Sequence, residues 1–226
     1  MTLLRWSARL PGAVVYGALL VGLFFAFIYA PPEAYMGQVY RIMYFHISSA
    51  WTCLVAFTVV FVSSLLYLLG KGDHWDLLAH CAGEVGLLFT TITLLSGSIW
   101  GRAVWLVWWT WEPLLTATLI LWFLYAGYLL IRSAAQGDPA RMRLSAVWAV
   151  LSYVDVPIIV LAVAMMRGLH PQTIEGFNIN LDPRMTLSLF INYAAVMLLA
   201  LYLLGRRVQL AKTAETVAAL KERFRF

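Results

Sequence analysis

Charged residues are scarce in this chain: Asp, Glu, Lys and Arg make up 12% of it, whereas a soluble domain carries roughly 25%. This argues against a water-exposed surface, and with it against a soluble domain that binds nucleic acid. Cysteine is scarce too. Cys53 and Cys81 form neither a C-x-x-C nor a C-x-x-C-H motif, which argues against a thiol oxidoreductase. A nucleotide-binding motif is also missing, so any use of ATP must come from a partner.

Long apolar runs are abundant instead, since hydrophobic residues make up 62% of the sequence. Six runs are each long enough to cross a hydrocarbon core of about 30 Å. They fall near residues 10–30, 46–69, 77–97, 114–131, 144–167 and 186–205. The first run exceeds a signal-peptide core and has no small-residue cleavage pattern before Pro31, so we expect it to be retained. The sequence predicts an all-α integral membrane protein, with residues 1–226 forming one six-helix domain.

Lysine and arginine are distributed unequally between the two sides of this topology. With the N-terminus in the cytoplasm, twelve of the 16 fall on the cytoplasmic side. Because positive residues accumulate in cytoplasmic loops, we predict that both termini are cytoplasmic. Segment 206–226 is then a cytoplasmic amphipathic tail, with Val217, Leu220 and Phe224 on its apolar side. Such a tail rests on anionic lipid or docks a partner subunit.

Tryptophan is concentrated in one predicted external connection, a helix or loop at residues 98–113 between the third and fourth spans. Five of the ten tryptophans lie there. These are Trp100, Trp105, Trp108, Trp109 and Trp111. An interfacial aromatic belt is one interpretation, but a belt distributes tryptophans over many helix ends on both leaflets. If the segment is helical, Trp105, Trp108 and Trp109 share a face and form a shelf for a large planar apolar ligand.

Two histidines fall at the depth of this tryptophan segment. His46 opens the second predicted span, and His170 follows the fifth. Imidazole is an axial ligand of haem iron, and haem is planar with an apolar body. A zinc site is the weaker alternative because it needs three or four nearby N, S or O ligands. Arg41, Arg102 and Arg184 are candidates to pair with the haem propionates.

Three motifs resemble the haem-handling membrane proteins of cytochrome c maturation, most closely the family of cytochrome c maturation protein C. Segment 100–116, WGRAVWLVWWTWEPLLT, is similar to that family's tryptophan-rich (WWD) signature. Segment 41–51, RIMYFHISSAW, is similar to the stretch around its first haem-ligating histidine. Pro157-Ile-Ile followed by Leu169-His170-Pro-Gln is similar to the stretch around the second. The resemblance covers the second to the fifth spans.

The sequence departs from this family's pattern at a few positions. They are Glu112 for the usual Asp, Leu114 for a common Arg, Ser48 for a common Pro, and Met165–Met166 for two tryptophans. Without an arginine at position 114, the contact that it would make to a propionate or a partner is either absent or supplied by Arg102 or Arg184. The two methionines predict a less aromatic surface near His170.

The resemblance implies transient binding of haem b (iron protoporphyrin IX) at the periplasmic face of a bacterial inner membrane. His46 and His170 match the axial ligands, and the tryptophan segment with Glu112 matches the part that holds the ring. The resemblance also implies delivery to a membrane-anchored haem chaperone, a transfer step rather than a conventional enzymatic reaction. The implied partners are the ATPase and membrane subunits of an ABC transporter and a small single-helix subunit.

Two carboxylates within the predicted spans keep a second class of protein open. Asp155 falls in the middle of the fifth span, and Glu84 falls in the inner half of the third. A charge in hydrocarbon is costly and suggests function by default. The alternative is therefore an ion- or proton-coupled transporter that uses both as a relay, and a purely structural subunit is a third class. We expect Pro157 to bend the fifth helix.

Overall fold

Helices form nearly all of the chain that the structure describes. The computed structural model describes residues 11–134, 138–165, 174–175, 178–179 and 181–224. The helices are α1 (Gly12–Phe24), α2 (Arg41–Leu68), α3 (His74–Trp105), α4 (Pro113–Ser133), α5 (Pro139–Ser152), α6 (Asp155–Met165) and α7 (Pro183–Arg223). A π-helical turn (Phe25–Tyr29) continues α1, and a 3₁₀ turn (Gln38–Tyr40) precedes α2. The two-residue strands β1 (Ile174–Glu175) and β2 (Asn178–Ile179) pair antiparallel.

Six helical stretches are long and apolar enough to cross a membrane. They are Gly12–Tyr29, Gln38–Leu68, His74–Trp105, Pro113–Ser133, Pro139–Val163 and Pro183–Arg223. The chain is therefore a multi-pass membrane protein, and the prediction of an all-α fold with six spans is confirmed. The second stretch begins at Gln38 and the third ends at Trp105, beyond the apolar runs in the sequence. Arg41 and Arg102 lower the local hydropathy there without interrupting the helices.

Proline and aspartate mark the beginnings of three helices. Pro113, Pro139 and Pro183 each occupy the first turn, where a missing N–H costs nothing. The side chains of Asp138 and Asp182 accept hydrogen bonds from backbone N–H groups two residues on, at 2.9 and 2.8 Å. These caps satisfy amide groups that have no partner within the helix. These residues therefore fix where the three helices begin.

The fifth crossing is divided into two helices near Pro157. This residue has no backbone N–H, and its ring clashes with the carbonyl four residues earlier, at Tyr153. The chain tightens there: the N–H of Val154 donates to the carbonyl of Leu151 at 3.2 Å, and that of Val156 to the carbonyl of Tyr153 at 3.0 Å. The expected bend is thus a 3₁₀-type turn between α5 and α6.

Helix α3 is the centre of the bundle. Half of the residues in its most apolar stretch are buried inside the protein, a larger share than in the other crossings. Glycines allow its neighbours to approach closely. A Cβ on Gly86 would lie 2.5 Å from the ring of Phe57 in α2, and one on Gly83 would lie 2.8 Å from the ring of Tyr128 in α4. Small residues at such contacts are how membrane helices pack without a hydrophobic driving force.

The two ends of the bundle differ in their chemistry. We call one the tryptophan end, which comprises residues 30–46, 93–116 and 181–188. We call the other the tail end, which comprises residues 60–84, 128–134, 138–145 and 203–224. There α7 passes through Gly205 without a break, and its 41 residues span about 60 Å, twice a bilayer core of about 30 Å. Segment 206–223 is therefore helical as expected, but it continues the last crossing. Its placement in the cytoplasm stays a prediction.

Candidate functional site

The tryptophan segment leaves the helical conformation directly after Trp105. Leu106 adopts a left-handed conformation, with φ of 64°, and the chain is not helical again until Pro113. Two side chains of α3 hold the turn: the Ser98 hydroxyl donates to the carbonyl of Trp108 at 2.8 Å, and the Arg102 guanidinium donates to the carbonyl of Leu106. The interpretation of Trp105, Trp108 and Trp109 as one helical face is therefore wrong.

The five tryptophans of this segment occupy different environments. Trp100 is 1% exposed and belongs to the core of the tryptophan end, where its ring meets Trp105 edge to face with centroids 4.8 Å apart. Trp108 and Trp111 are 61% and 76% exposed. Trp109 is half-buried and meets Trp111 edge to face at 6.0 Å. The segment therefore presents two indole rings on its surface and uses one as a core residue.

His46 lies in the second turn of α2 and faces α3. It is 8% exposed, deeper than its expected position at the surface. Its Nδ1 lies 3.0 Å from the carbonyl oxygen of Thr93 and 3.1 Å from the hydroxyl of Ser96. A carbonyl can only accept, so Nδ1 carries the proton in the neutral ring and Nε2 carries the lone pair. Histidines that bind metals are commonly oriented by such a bond from the other nitrogen.

The three arginines expected to pair with propionates have partners in the protein. Arg41 donates to Gln38 and to a carbonyl of the π-helical turn after α1. Arg102 closes the turn described above. Arg184 lies 3.6 Å from the carboxylate of Asp182, two residues earlier in the chain. Each guanidinium has five N–H donors, so these bonds use only part of its capacity. Pairing with propionates therefore stays a prediction.

Of the two remaining predicted site residues, Glu112 lies within the described chain and His170 does not. Glu112 precedes α4, and its backbone carbonyl accepts the N–H of Thr116 at 3.0 Å. His170 lies outside the described residues, as does Met166. Within the described ranges, no three His, Cys, Asp or Glu side chains come together as a metal site. A zinc site therefore has no ligand set in this part of the chain.

Sequence reasoning missed a group of buried polar atoms at the tryptophan end. In the part of the chain that the structure describes, these atoms have no hydrogen-bond partner. They are the hydroxyls of Tyr40, Tyr44, Thr110 and Thr116 and the indole N–H of Trp109. A buried polar group without a partner costs about 1–3 kcal/mol, and a bound molecule with acceptor oxygens would remove that cost. The sequence gives one indication of them: each of these residues lies within six positions of His46 or of Trp111.

Two carboxylates proposed as a relay have different surroundings. Glu84 accepts two hydrogen bonds from Arg207 of α7, one of them 2.8 Å long, and lies 3.4 Å from Nε2 of His80. Asp155 opens α6, which packs against α4, and its Oδ2 is buried without a partner among the described residues. The structure therefore joins Glu84 to an arginine rather than to Asp155. A second pair, Arg132 with Asp76, joins α4 to α3.

This architecture defines a class of protein: a multi-pass membrane protein with a buried, oriented histidine beside an exposed aromatic turn. Residues 2–223 match the family model for heme exporter protein C (CcmC). The chain therefore belongs to the heme exporter protein C family. Membership supports a role in haem export for cytochrome c biogenesis.

Individual relatives agree with the family match. Heme exporter protein C of Escherichia coli is 30% identical over 167 residues, which cover 74% of this chain and 68% of that protein. That of Bradyrhizobium diazoefficiens is 33% identical over 153 residues, 67% of this chain and 57% of that protein. A ccmC-like mitochondrial protein of Marchantia polymorpha is 31% identical over 167 residues, 74% of this chain and 71% of that protein. The matched region thus spans 57% to 71% of these relatives.

Proposed function

We propose that this protein binds haem b at the tryptophan end and delivers it to a haem chaperone in the periplasm. The single observation that carries the proposal is the environment of His46. Its Nδ1 proton is held by the carbonyl of Thr93, which leaves the lone pair on Nε2. A neutral imidazole in this tautomer is the form that binds haem iron as an axial ligand. The chemistry of this donor fits haem.

The exposed turn after α3 supports binding of the porphyrin ring. Trp108 and Trp111 present two large aromatic side chains, and aromatic rings gain about 0.5–1.5 kcal/mol from a stacked or edge-to-face partner beyond the area they bury. The buried hydroxyls of Thr110 and Thr116, which have no partner among the described residues, lie in the same stretch and are further hydrogen-bond donors. Haem is the cargo of this site, and the protein supplies a ligand, an aromatic surface and hydrogen-bond donors.

The second axial ligand in this proposal is His170. Its support is the sequence motif and its place after the fifth crossing, on the same side as the tryptophan segment. Ligation from both faces would protect the iron while leaving a porphyrin edge exposed to the chaperone. Arg41, Arg102 and Arg184 remain candidates for the propionates through donors that their present bonds do not use.

The proposed location is the bacterial inner membrane, with the tryptophan end in the periplasm. It rests on the positive residues, twelve of which the sequence assigns to the cytoplasmic side of the predicted topology. The proposed partners are the haem chaperone, the ATPase and membrane subunits of an ABC transporter and a small single-helix subunit. The long tail helix gives the ATPase side of such a complex a surface that reaches beyond the bilayer.

The transporter alternative has less support. Glu84 has an arginine partner, and this ion pair explains its presence in the crossing without a relay. Asp155 lies in a different helix at a break caused by proline. Proton-coupled uptake of a small molecule into vesicles that contain the protein would favour the alternative.

Covalent loading of the chaperone tests the proposal. The full chain is expressed in membranes together with the chaperone, the ABC-transporter subunits and the single-helix subunit. Haem on the chaperone is detected by peroxidase staining. We expect wild type to load the chaperone and His46→Ala to load none. His74→Ala, the same change at the tail end, is the matched control and should load normally. Full loading by His46→Ala at equal membrane levels would contradict the proposal.

A further inference from the structure

We infer that Ser96 and Gly97 of α3 are positioning residues for His46, which set the plane of its imidazole and the basicity of its Nε2. The inference rests on the proposed function, since it concerns the same ligand. Neither residue belongs to the motifs around His46, His170 or the tryptophan segment. Both lie one turn before Trp100, on the helix that faces the imidazole.

The hydrogen bonds around Nδ1 give Ser96 its role. The Ser96 hydroxyl has one proton, which it donates to the carbonyl of Ile92 at 2.6 Å. Its oxygen then accepts from Nδ1 of His46 at 3.1 Å, while the carbonyl of Thr93 accepts from the same N–H at 3.0 Å. Two acceptors on one N–H place more electron density on the ring, and such bonds make the opposite nitrogen a stronger metal ligand.

Gly97 gives the imidazole its place. A Cβ on Gly97 would lie 2.7 Å from Cε1 of His46 and 3.2 Å from its Nδ1. The ring therefore packs on bare backbone, and a methyl group there must rotate or displace it. The ring has little space to move because His46 is 8% exposed between α2 and α3. A one-methyl change at Gly97 thus alters the direction of Nε2 without removing any hydrogen-bonding group.

Other glycines and serines provide matched controls. Gly86 has an even closer neighbour, since its Cβ would lie 2.5 Å from Phe57, but no histidine is involved. Gly17 in α1 has nothing within 4 Å of the same position. The hydroxyl of Ser152 donates to a carbonyl of its own helix at 2.8 Å, as Ser96 does, far from His46 in the chain. Gly86→Ala measures the effect of destabilisation alone. Gly17→Ala and Ser152→Ala measure the effect of the same substitutions at positions away from His46.

The experiment is a titration of the purified full-length protein with hemin in detergent, with the visible spectrum and the midpoint potential of the bound iron recorded for each variant. We expect Gly97→Ala and Ser96→Ala to weaken hemin binding about 10-fold, the lower limit for loss of an outer-shell partner. We expect Ser96→Ala to raise the midpoint potential, because a less basic imidazole stabilises ferric iron less. Ser96→Thr keeps the hydroxyl and should restore the wild-type values.

The outcomes separate this inference from the proposed function. If His46→Ala loses hemin while Gly97→Ala and Ser96→Ala match wild type in affinity, spectrum and potential, the positioning role is wrong and the haem site stands. If wild type binds no hemin, or His46→Ala binds as wild type does, the proposed function fails. Should Gly97→Ala aggregate, Ser96→Ala decides the matter, because it removes one oxygen and adds no volume.

Discussion

The two ends of the bundle hold their helices together in different ways. At the tail end, ion pairs connect separate helices: Arg132 of α4 with Asp76 of α3, and Arg207 of α7 with Glu84 of α3. Asp76 is 4% exposed in its side chain, and Arg132 is 17% exposed. Both pairs end on α3, so this helix is fixed to two neighbours by charge.

At the tryptophan end, arginines serve the backbone instead. Arg41 and Arg102 donate to carbonyl oxygens at turns, and the ion pair of Arg184 with Asp182 joins residues two apart, both well exposed. Leu106 adds a left-handed conformation that non-glycine residues rarely adopt. The tail end is thus held together by ion pairs between helices, and the tryptophan end keeps backbone strain at Leu106 of the kind that suits a binding site. The comparison predicts that mutations at one end change unfolding and mutations at the other change haem binding.

The largest effect on stability is expected from Arg132→Ala. It leaves the carboxylate of Asp76 buried without its partner, which costs about 3–5 kcal/mol. Asp76→Ala should cost less, because the longer arginine side chain can reach water. Unfolding by SDS in detergent micelles measures both. Equal losses for the two variants, or a loss in hemin affinity per folded molecule, would break the distinction between the ends.

Leu106→Gly is expected to stabilise the protein by about 1 kcal/mol. A left-handed conformation costs a residue with a Cβ about 1–2 kcal/mol, and glycine's larger entropy in the unfolded chain offsets part of the gain. Leu106 is 72% exposed, so little apolar burial is lost. The same SDS assay provides the measurement. A variant less stable than wild type would mean that the turn after α3 stores no strain.

Glu84→Gln should lower stability by about 0.2–1 kcal/mol, the range of exposed pairs. Both partners are about one third exposed, at 33% for Glu84 and 32% for Arg207. Glutamine retains an acceptor for the guanidinium, which limits the loss. A larger loss of stability than for Arg132→Ala would show that the more buried ion pair is not the one that stabilises the protein more. Equilibrium unfolding of both variants side by side decides this.

Trp111→Ala should have the smallest effect on stability, within about 0.5 kcal/mol, as for exposed positions generally. Hemin affinity should nevertheless fall about 5-fold, which corresponds to the loss of roughly 1 kcal/mol of aromatic contact. Trp75→Ala at the tail end is the control and should bind hemin as wild type does. Parallel hemin titrations measure the difference, and equal affinities for the two variants would remove Trp111 from the site.

The sequence predicted the six crossings because hydropathy over about 20 residues depends little on tertiary contacts. It predicted the bend at Pro157 for a similar reason, since a missing N–H acts locally. Two other features could not be predicted. No glycine marks the end of α3, so the left-handed Leu106 had no signal in the sequence. The continuity of α7 through Gly205 was also missed, because a fall in hydropathy resembles the end of a helix.

The candidate site was predicted in its parts and not in its arrangement. His46 and the tryptophans follow from residue type and motif. The burial of His46, its bond to Thr93 and its close contact with Gly97 depend on how α2 packs against α3. The spacing of residues along the chain does not encode this packing. Arg41 and Arg102 were expected to meet a ligand, and their bonds to turn carbonyls arise from loop geometry. Long-range packing therefore accounts for what the sequence alone could not provide.

The most direct test of haem binding at the tryptophan end is the visible absorption spectrum of the detergent-purified protein, with and without added hemin, compared with those of His46→Ala and His170→Ala. We expect a low-spin haem spectrum in wild type that is lost or weakened in both variants. Wild-type protein that stays colourless and takes up no added hemin would contradict haem binding at the tryptophan end.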